Sequence, residues 1–310
     1  VKNRVDYFAI SFVQNAKDMR RARELLGDYK GKLIAKIEKF DAVSNIDEII
    51  EVSDGIMVAR GDLGIEVPYY DVPTIQKMLI KKSNAKGIPV ITATQMLLSM
   101  TQNERATRAE ISDVANAVLD GTDIVMLSEE SAVGENPVNV VETMHNIIKQ
   151  TEKIFDHEKR YKFTYLDEFD VIQATVTKLA DDLSADGILS LTSSGNSARK
   201  MSRYRPITPL YTFAHDKETL TGLTALWGVE PITTVKEAQA SKMIQRMLRS
   251  LEKREILNKK GLYICTVGYP VGIPGSTNTI KILTPSEIEF YLNFKENREK
   301  IKTEKKVNLA

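Results

Sequence analysis

Polar and charged residues follow four successive apolar segments of this chain. The four ends read Lys36-Ile37-Glu38, Arg60-Gly61-Asp62, Thr92-Ala93-Thr94-Gln95 and Ser128-Glu129-Glu130. The C-terminal ends of parallel strands lie on one edge of a sheet, and α/β enzymes place their ligands at that edge. We therefore expect a lysine, two or three carboxylates and two hydroxyl groups to converge there.

This set of side chains is typical of phosphoryl chemistry that depends on a hard cation. Carboxylates without a nearby histidine suit Mg²⁺, which keeps some of its waters and takes further ligands from substrate oxygens. A phosphorylated or enolate substrate is therefore indicated. Lys36 offers a compact positive charge to a phosphoryl group in transfer. Gly61 allows backbone N–H groups to approach an anion, close to a helix that we expect to begin near Tyr70.

Each of these residues also has a purely structural interpretation. Lys36 and Glu38 are two residues apart on a strand, so they share a face and could simply form an ion pair. Thr94 could bond to backbone, and Asp62 could lie in a solvated loop. Glu129 and Glu130 could both be solvated. Four strands that all end in polar groups favour the functional interpretation of the set as a whole.

The first half of the chain repeats a strand followed by a helix, which indicates the α/β class with parallel strands. Asn15 and Thr107 are expected N-caps, the latter in a capping box with Glu110, and Pro137 suits a first helical turn. Five such units form either an open, doubly wound sheet or part of a (β/α)₈ TIM barrel, which needs three more strands. The predicted strands are Val5–Val13, Leu33–Ile37, Gly55–Arg60, Pro89–Met96 and Asp123–Leu127.

A polar segment interrupts the repeat between residues 152 and 168. We therefore predict a domain boundary there, with a C-terminal α/β domain at 165–310. The chain enters a strand within five residues of Val1, which favours missing strands and hence a partial TIM-barrel catalytic domain at 1–152. In the second domain the run Thr192-Ser193-Ser194-Gly195-Asn196-Ser197 follows the strand Gly187–Leu191 and precedes a helix. This hydroxyl-rich turn suits a phosphate, although an ordinary N-capped turn would look the same. A glycine- and proline-rich loop follows later, at Gly268–Gly275.

The composition excludes several classes of protein. The 310 residues carry a net charge of +1, which gives no support to a nucleic-acid or membrane-surface partner. The single cysteine, Cys265, fits a reducing compartment, and a cytoplasmic location is expected. His145, His157 and His215 are scattered, which argues against a zinc site or a serine-type triad.

The motifs around these strand ends resemble those of the pyruvate kinase family. The resemblance is carried by Lys36-Ile37-Glu38, by the segments Asp54–Gly64 and Lys86–Leu97, and by Thr107–Gly121. It implies phosphoryl transfer from phosphoenolpyruvate to ADP, giving pyruvate and ATP, in a TIM barrel followed by an effector-type domain. It also implies that three barrel strands and a lid domain precede this segment, so we expect the chain alone to be catalytically incomplete.

The resemblance also implies roles for individual residues. Glu38 and Asp62 would bind Mg²⁺ or Mn²⁺, and Lys36 would stabilise the phosphoryl group in transfer. The N–H groups of Gly61 and Asp62 would hold the substrate carboxylate beside Thr94. Thr94 would also lie near the face where enolpyruvate is protonated. The K⁺ that the family requires would bind outside this chain, and a homotetramer is expected.

Two departures from the family pattern affect these implications. Glu129 stands where most relatives have glycine, which adds a negative charge near the site. Ser193 and Asn196 stand where relatives often have lysine and arginine, so a sugar monophosphate is a better effector than a bisphosphate. The alternative function is a non-catalytic module that retains the effector domain and binds sugar phosphates.

Overall fold

The computed structural model describes residues 5–157, 162–237, 239–268 and 277–294. The chain divides into two compact units, and each is described by itself. The first comprises Val1–Phe163 with Ala225–Trp227, and the second comprises Thr164–Thr224 with Gly228–Ala310. Within the described ranges, no helix is long and apolar enough to cross a membrane.

A parallel sheet of five strands forms the centre of the first unit, in the order β1-β2-β3-β4-β5. Each strand pairs with the next one in the chain, so the order never reverses. A doubly wound sheet reverses its strand order at a switch point, whereas a TIM barrel adds its strands consecutively. The sheet is therefore an arc of a barrel, as predicted. The strands are β1 Tyr7–Ile10, β2 Lys32–Ile37, β3 Gly55–Ala59, β4 Val90–Ala93 and β5 Ile124–Met126.

Helices follow each strand of this sheet, and the predicted helix starts are confirmed. Asn15 and Thr107 both form capping boxes, and Pro137 occupies the first turn of its helix. The helices are α1 Ala16–Leu26, α2 Phe40–Ser44, α3 Ile46–Val52, α4 Arg60–Glu66, α5 Val72–Lys86, α6 Arg108–Asp120, α7 Glu129–Ala132 and α8 Pro137–Thr151. Short 3-10 turns lie at Tyr69–Asp71, Leu98–Thr101 and Glu152–Ile154.

The two faces of this sheet carry different sets of side chains. On β2, Leu33, Ala35 and Ile37 pack in one buried cluster with residues of α1, α3 and α5. The opposite face carries a second cluster, to which β2, β3 and β4 contribute Ile34, Met57 and Ile91. Because side chains alternate along a strand, Lys36 belongs to this second face, at the C-terminal end of β2.

Four of the predicted strands are longer than the observed ones, and β5 lacks one predicted residue at each end. β1 ends before Phe12 and β4 ends before Thr94, because both residues have positive φ angles (58° and 70°) that are incompatible with a strand. β3 ends at Ala59, and Arg60 begins at once the short helix α4, which was not predicted. Asp62 therefore lies in the first turn of α4, where a carboxylate is favoured by the helix dipole. The helix start expected near Tyr70 is confirmed by the 3-10 turn at Tyr69–Asp71 and by α5.

The second unit contains a mixed sheet in the order β10-β9-β6-β7-β8, with only β10 antiparallel to its neighbour. The chain passes from β6 to β7 and β8 on one side, and then returns to β9 on the other. The boundary between β6 and β9 is therefore a topological switch point. The strands are β6 Gly187–Thr192, β7 Leu210–Ala214, β8 Val229–Thr234, β9 Tyr263–Gly268 and β10 Thr277–Leu283.

Helices cover both faces of the second sheet, which gives three layers. α9 and α10 contribute to the cluster around Ile188 and Ile264, whereas α12 and α13 contribute to the cluster around Leu189 and Cys265. The helices are α9 Glu168–Asp182, α10 Asn196–Arg203, α11 Lys217–Gly222, α12 Ala240–Lys253 and α13 Pro285–Leu292, with a 3-10 turn at Leu223–Ala225. Most of the predicted loop Gly268–Gly275 lies outside the described residues.

Candidate active site

Lys36 and Glu38 meet at the C-terminal end of β2. The Lys36 ammonium lies 2.5 Å from Glu38 Oε1 and donates to Ser11 Oγ at 3.0 Å. Glu38 is only 2% exposed, whereas the Lys36 side chain is 24% exposed. The ion pair that the sequence left open as a structural alternative is therefore present. The buried Glu38 carboxylate is also a possible metal ligand, and the more accessible Lys36 ammonium is the positive charge that phosphoryl transfer requires.

The second oxygen of Glu38 is held by the backbone of the turn after β1. The Phe12 N–H donates to Glu38 Oε2 at 2.6 Å. Phe12 has a positive φ angle of 58°, which is an uncommon conformation for a bulky residue. The ring of Phe12 is exposed, and it is the backbone N–H of this residue that contacts Glu38. This turn fixes the orientation of the Glu38 carboxylate.

The start of α4 lies at the end of β3, the strand that pairs with β2. Ala59, the N-cap, provides no side-chain hydrogen bond to the first turn. The Gly61 N–H instead donates to Thr94 Oγ1 at 2.9 Å, which brings Gly61 and Thr94 together. The Asp62 side chain is exposed, and within the described residues it makes no hydrogen bond or ion pair.

Arg60 links the start of α4 to the turn after β4. Its Nη1 donates to both carboxylate oxygens of Asp113, at 2.8 and 2.7 Å, and its Nη2 donates to the Thr94 carbonyl at 2.7 Å. The arginine side chain is only 11% exposed. Thr94 and Gln95 both have positive φ angles, 70° and 53°. Arg60 therefore contacts the backbone of an unusual turn whose first residue is Thr94.

Glu130 has a different environment from the one expected at a strand tip. It is 1% exposed, and its two oxygens accept hydrogen bonds from Leu97 N at 3.1 Å and Ser128 N at 2.8 Å. The interpretation that Glu129 and Glu130 are both solvated is therefore wrong for Glu130, although Glu129 is exposed. Glu130 joins the segments that follow β4 and β5.

Glu38 and Asp62 fit a hard divalent cation in donor chemistry. Both are carboxylates, and they follow two adjacent parallel strands. The described residues contain no preformed group of three or more histidine, cysteine, aspartate or glutamate side chains that could hold a metal. Two protein carboxylates suit Mg²⁺, which completes its coordination with water and substrate oxygens. The exposed Asp62 carboxylate is accessible to such an ion. The Glu38 carboxylate already pairs with a positive charge, the Lys36 ammonium.

The predicted effector turn lies at the C-terminal end of β6, beside the switch point of the second sheet. Thr192 Oγ1 accepts a hydrogen bond from Gly195 N at 3.0 Å, and Gly195 adopts a left-handed φ of 82°. α10 begins at the next residue and has no side-chain cap. Besides Gly195, the residues of the turn differ in exposure. Thr192 and Ser197 are buried, Ser193 is partly exposed, and Ser194 and Asn196 are exposed.

Sequence reasoning did not assign roles to several residues of the first site. Ser11 and Phe12 contact the Lys36–Glu38 pair from the turn after β1, and Asp113 contacts Arg60 from the middle of α6. Arg60 could have been found, because an arginine directly at the end of a buried strand needs a partner. Asp113 could not, since nothing local distinguishes it from other exposed helical carboxylates.

The folds and the sites define a class of α/β protein. One domain is an arc of a TIM barrel with carboxylates and a lysine at its strand ends, and the other is a three-layer α/β domain. Comparison with known proteins gives the family. Residues 1–141 match the family described as "Pyruvate kinase, barrel domain", and residues 170–283 match "Pyruvate kinase, alpha/beta domain". The chain belongs to the pyruvate kinase family, which confirms the resemblance found in its motifs.

Individual relatives agree with this assignment. A pyruvate kinase of Lactobacillus delbrueckii subsp. bulgaricus is 42% identical over 291 residues, covering 91% of this chain and 49% of the relative. One from Geobacillus stearothermophilus is 41% identical over 295 residues, covering 93% and 50%. The crystal structure of a pyruvate kinase from Cryptosporidium parvum superposes with a TM-score of 0.83 at 35% identity, covering 90% of this chain and 58% of that one. The chain thus spans about half the length of these bacterial relatives.

Proposed function

We propose that the protein to which this chain belongs transfers a phosphoryl group from phosphoenolpyruvate to ADP, giving pyruvate and ATP. The observation that carries the proposal is the Lys36–Glu38 pair at the end of β2, next to the strand end that bears Asp62. The family matches support the reaction class. Mg²⁺ or Mn²⁺, K⁺, a homotetrameric assembly and a cytoplasmic location belong to the same proposal.

Glu38 and Asp62 are the proposed ligands of the divalent cation. When bound, this cation would neutralise charge on the phosphate and enolate oxygens. The burial of Glu38 limits its mobility, and the Phe12 N–H fixes one of its oxygens. Asp62 is exposed and unpaired within the described structure, so it can turn towards a ligand at little energetic cost.

Lys36 is the proposed catalytic residue for phosphoryl transfer. Its ammonium is anchored by Glu38 and Ser11 and keeps part of its surface accessible. A positive charge that is already oriented does not need to reorganise when negative charge develops on the transferred group.

The N–H groups of Gly61 and Asp62 are the proposed binding site for the substrate carboxylate. They lie in the first turn of α4, where N–H groups lack partners within the helix and the dipole favours an anion. Thr94 Oγ1 already accepts the Gly61 N–H. This hydrogen bond places a hydroxyl group at the expected position of the substrate, where Thr94 can bind it or relay a proton through water to enolpyruvate.

The test measures turnover in the full-length protein with phosphoenolpyruvate, ADP and Mg²⁺, coupled to lactate dehydrogenase. The unmodified protein should be active, and Lys36→Met should lower kcat by about 100- to 1,000-fold or more. The affinity for Mn²⁺, measured by titration, should stay within about threefold. Near-normal turnover of the variant would remove Lys36 from the mechanism, and an inactive unmodified protein would overturn the function.

A matched control is Lys82→Met. Lys82 also forms an ion pair with a carboxylate, since its Nζ lies 2.5 Å from Asp47 Oδ1. It belongs to α5, away from the strand ends. Because this pair is exposed and outside the site, kcat should not change.

We also propose that the turn from Thr192 to Ser197 binds the phosphate of a sugar monophosphate. Its position at a topological switch point, where open α/β sheets bind ligands, favours this function. The start of α10, which lacks a side-chain cap, and the accessible Ser193, Ser194 and Asn196 offer hydrogen-bonding groups. The alternative of a purely non-catalytic module would rest on this turn alone, because the family matches also cover the barrel.

A further inference from the structure

Arg60 makes more contacts with the Thr94 turn than an ordinary ion pair requires. Beyond the two hydrogen bonds to Asp113, its Nη2 contacts the carbonyls of Thr94 and Gln95 at 2.7 and 3.4 Å, and its Nε contacts that of Ala93 at 3.4 Å. One guanidinium thus faces three consecutive carbonyls. The five N–H donors of an arginine can serve these carbonyls and the Asp113 carboxylate together, whereas the ammonium of a lysine has only three donors.

The backbone that Arg60 contacts is strained. Thr94 and Gln95 occupy the left-handed region with φ angles of 70° and 53°, and neither residue is a glycine. Side chains with a Cβ atom adopt this conformation only when surrounding interactions compensate for its cost. The three carbonyls that face the guanidinium provide such interactions.

The turn sets the position of the Thr94 hydroxyl. Thr94 Oγ1 lies 2.9 Å from the Gly61 nitrogen, and Gly61 directly follows Arg60 in the chain. Arg60 therefore fixes both partners of this hydrogen bond. It holds Gly61 as its neighbour in the chain, and it holds Thr94 through the hydrogen bonds to the carbonyls of the turn. Asp113 orients the guanidinium from α6 by accepting two hydrogen bonds from the same nitrogen.

We propose that Arg60, oriented by Asp113, is a positioning residue that holds the Thr94–Gln95 turn in its left-handed conformation. It thereby keeps the Thr94 hydroxyl against the start of α4, where the substrate is proposed to bind. The effect of Arg60 on turnover rests on the proposed function, whereas its effect on the conformation of the turn does not.

The kinetic test uses Arg60→Lys and Thr94→Val in the full-length protein, separately and together. Arg60→Lys should lower kcat by about 10- to 100-fold, because a small displacement of a reacting group has effects of this size. In the Thr94→Val background, the same substitution should lower kcat by less than about threefold, since the group that Arg60 positions is already gone. An equal loss in both backgrounds would overturn the proposal.

A second measurement does not depend on turnover. Hydrogen exchange at the Gly61 amide reports directly on the hydrogen bond to Thr94, because exchange requires that bond to open. Arg60→Lys and the milder Asp113→Asn should each accelerate this exchange at least about tenfold, with no large change at other amides of α4. Unchanged protection of Gly61 in both variants would contradict the proposal, even if the protein proved to have another activity.

The matched control is Arg21→Lys. Arg21 also pairs with a carboxylate, Glu24, at 3.1 Å, but this pair is largely exposed on α1. Neither kcat nor the exchange of Gly61 should change in this variant. If Arg60→Lys behaved like Arg21→Lys in both measurements, Arg60 would have no positioning role.

Discussion

The Gly61 N–H donates a hydrogen bond to Thr94 Oγ1 at 2.9 Å, which joins the first turn of α4 to the turn after β4. This donor is also the one proposed for the substrate carboxylate. A bound carboxylate would therefore replace the hydroxyl as the acceptor and release Thr94 for its own contact with the substrate. The hydrogen bond keeps the Gly61 donor satisfied and correctly oriented before the substrate binds.

Replacing Gly61 by alanine should stabilise the fold but weaken the binding of phosphoenolpyruvate. Gly61 lies inside α4 without a positive φ, and an added Cβ would lie 3.4 Å from Thr94 Oγ1, which is an ordinary contact. Alanine should therefore raise the free energy of unfolding by about 0.4–1 kcal/mol. The methyl group covers the approach to the N–H, so the KM for phosphoenolpyruvate should rise about tenfold, as expected for one weakened charged hydrogen bond. Urea unfolding and steady-state kinetics measure the two effects.

Gly64→Ala is the control for this prediction. Gly64 lies in the same helix, and its added Cβ would meet only Val72 Cγ2 at 3.7 Å. The variant should be stabilised to a similar extent and keep its KM. A KM that rises equally in both variants, or in neither, would show that Gly61 is not the point where the substrate approaches.

The capping box of α6 should make stability depend on pH. Burial raises the pKa of Glu110, but hydrogen bonds from Ser99 and Thr107 lower it by more, so the pKa of this carboxyl lies below its ordinary 4.5. A depressed pKa contributes stability that is present above the unfolded-state value and is lost as the pH falls through the folded-state value. Glu110→Gln should cost about 1 kcal/mol at neutral pH. This cost should shrink progressively below about pH 4.5.

Urea unfolding at about pH 7 and about pH 3 measures this dependence. Glu142→Gln serves as the control, since Glu142 is exposed on α8 and makes no described hydrogen bond or ion pair. Its cost should be close to zero at both pH values. A cost of Glu110→Gln that is the same at both pH values would contradict the role of the ionised carboxylate.

A buried network around Asp170 should contribute strongly to the free energy of unfolding of the second unit. Asp170 is fully buried, and its Oδ2 accepts hydrogen bonds from Arg203 Nη1 and from Tyr204 Oη, the latter at 2.9 Å. Burial raises the pKa of the Tyr204 hydroxyl well above its ordinary value, so this group stays a donor. Asp170→Asn leaves the Arg203 charge without its buried counter-ion and should cost roughly 3–5 kcal/mol in urea unfolding.

Asp167→Asn provides the comparison. Asp167 caps α9 and pairs with Lys200 Nζ at 2.5 Å, but it is half exposed. Asparagine is also a good N-cap, and solvent screens the half-exposed Asp167 carboxylate, so this substitution should cost clearly less than Asp170→Asn. Similar costs for the two variants would show that burial of the Asp170 network is not decisive.

A negative charge in the turn after β6 should prevent phosphate binding. Ser194 is exposed in this turn, so Ser194→Asp should fold normally and weaken the binding of a hexose monophosphate at least about tenfold by charge repulsion. Calorimetric titration of the full-length protein measures the affinity. Thr175→Asp, at an exposed position in the middle of α9, should bind as tightly as the unmodified protein. Equal binding by all three proteins would place the phosphate elsewhere.

Much of the first unit could be predicted from local patterns. The caps at Asn15 and Thr107 are determined by side chains three residues apart, and the alternation along β2 places Lys36 and Glu38 on one face. Such short-range rules do not need the tertiary structure. The consecutive strand order does need it: the five strand–helix units alone fit both a barrel and a doubly wound sheet, and the family resemblance decided for the barrel.

The missed features depend on contacts that are distant in sequence. α4 has only Leu63 buried, so it lacks the apolar periodicity that predicts a helix, and the apolar pattern of the preceding strand extends up to its first residue, Arg60. Asp113 contacts Arg60, 53 residues away, and Glu130 accepts a hydrogen bond from Leu97 N, 33 residues away. The role of Asp113 and the burial of Glu130 depend on these distant contacts, which no local pattern indicates.

The most direct test of the proposed site is a crystal structure of the full-length protein grown with Mn²⁺, with the ion located by its anomalous scattering. We expect an ion bound by carboxylate oxygens of both Glu38 and Asp62, with distances of about 2.0–2.3 Å. Glu38→Gln should remove the anomalous peak, whereas Glu142→Gln should retain it. An ion bound elsewhere, or one that survives Glu38→Gln at full occupancy, would rule out Glu38 and Asp62 as the metal ligands.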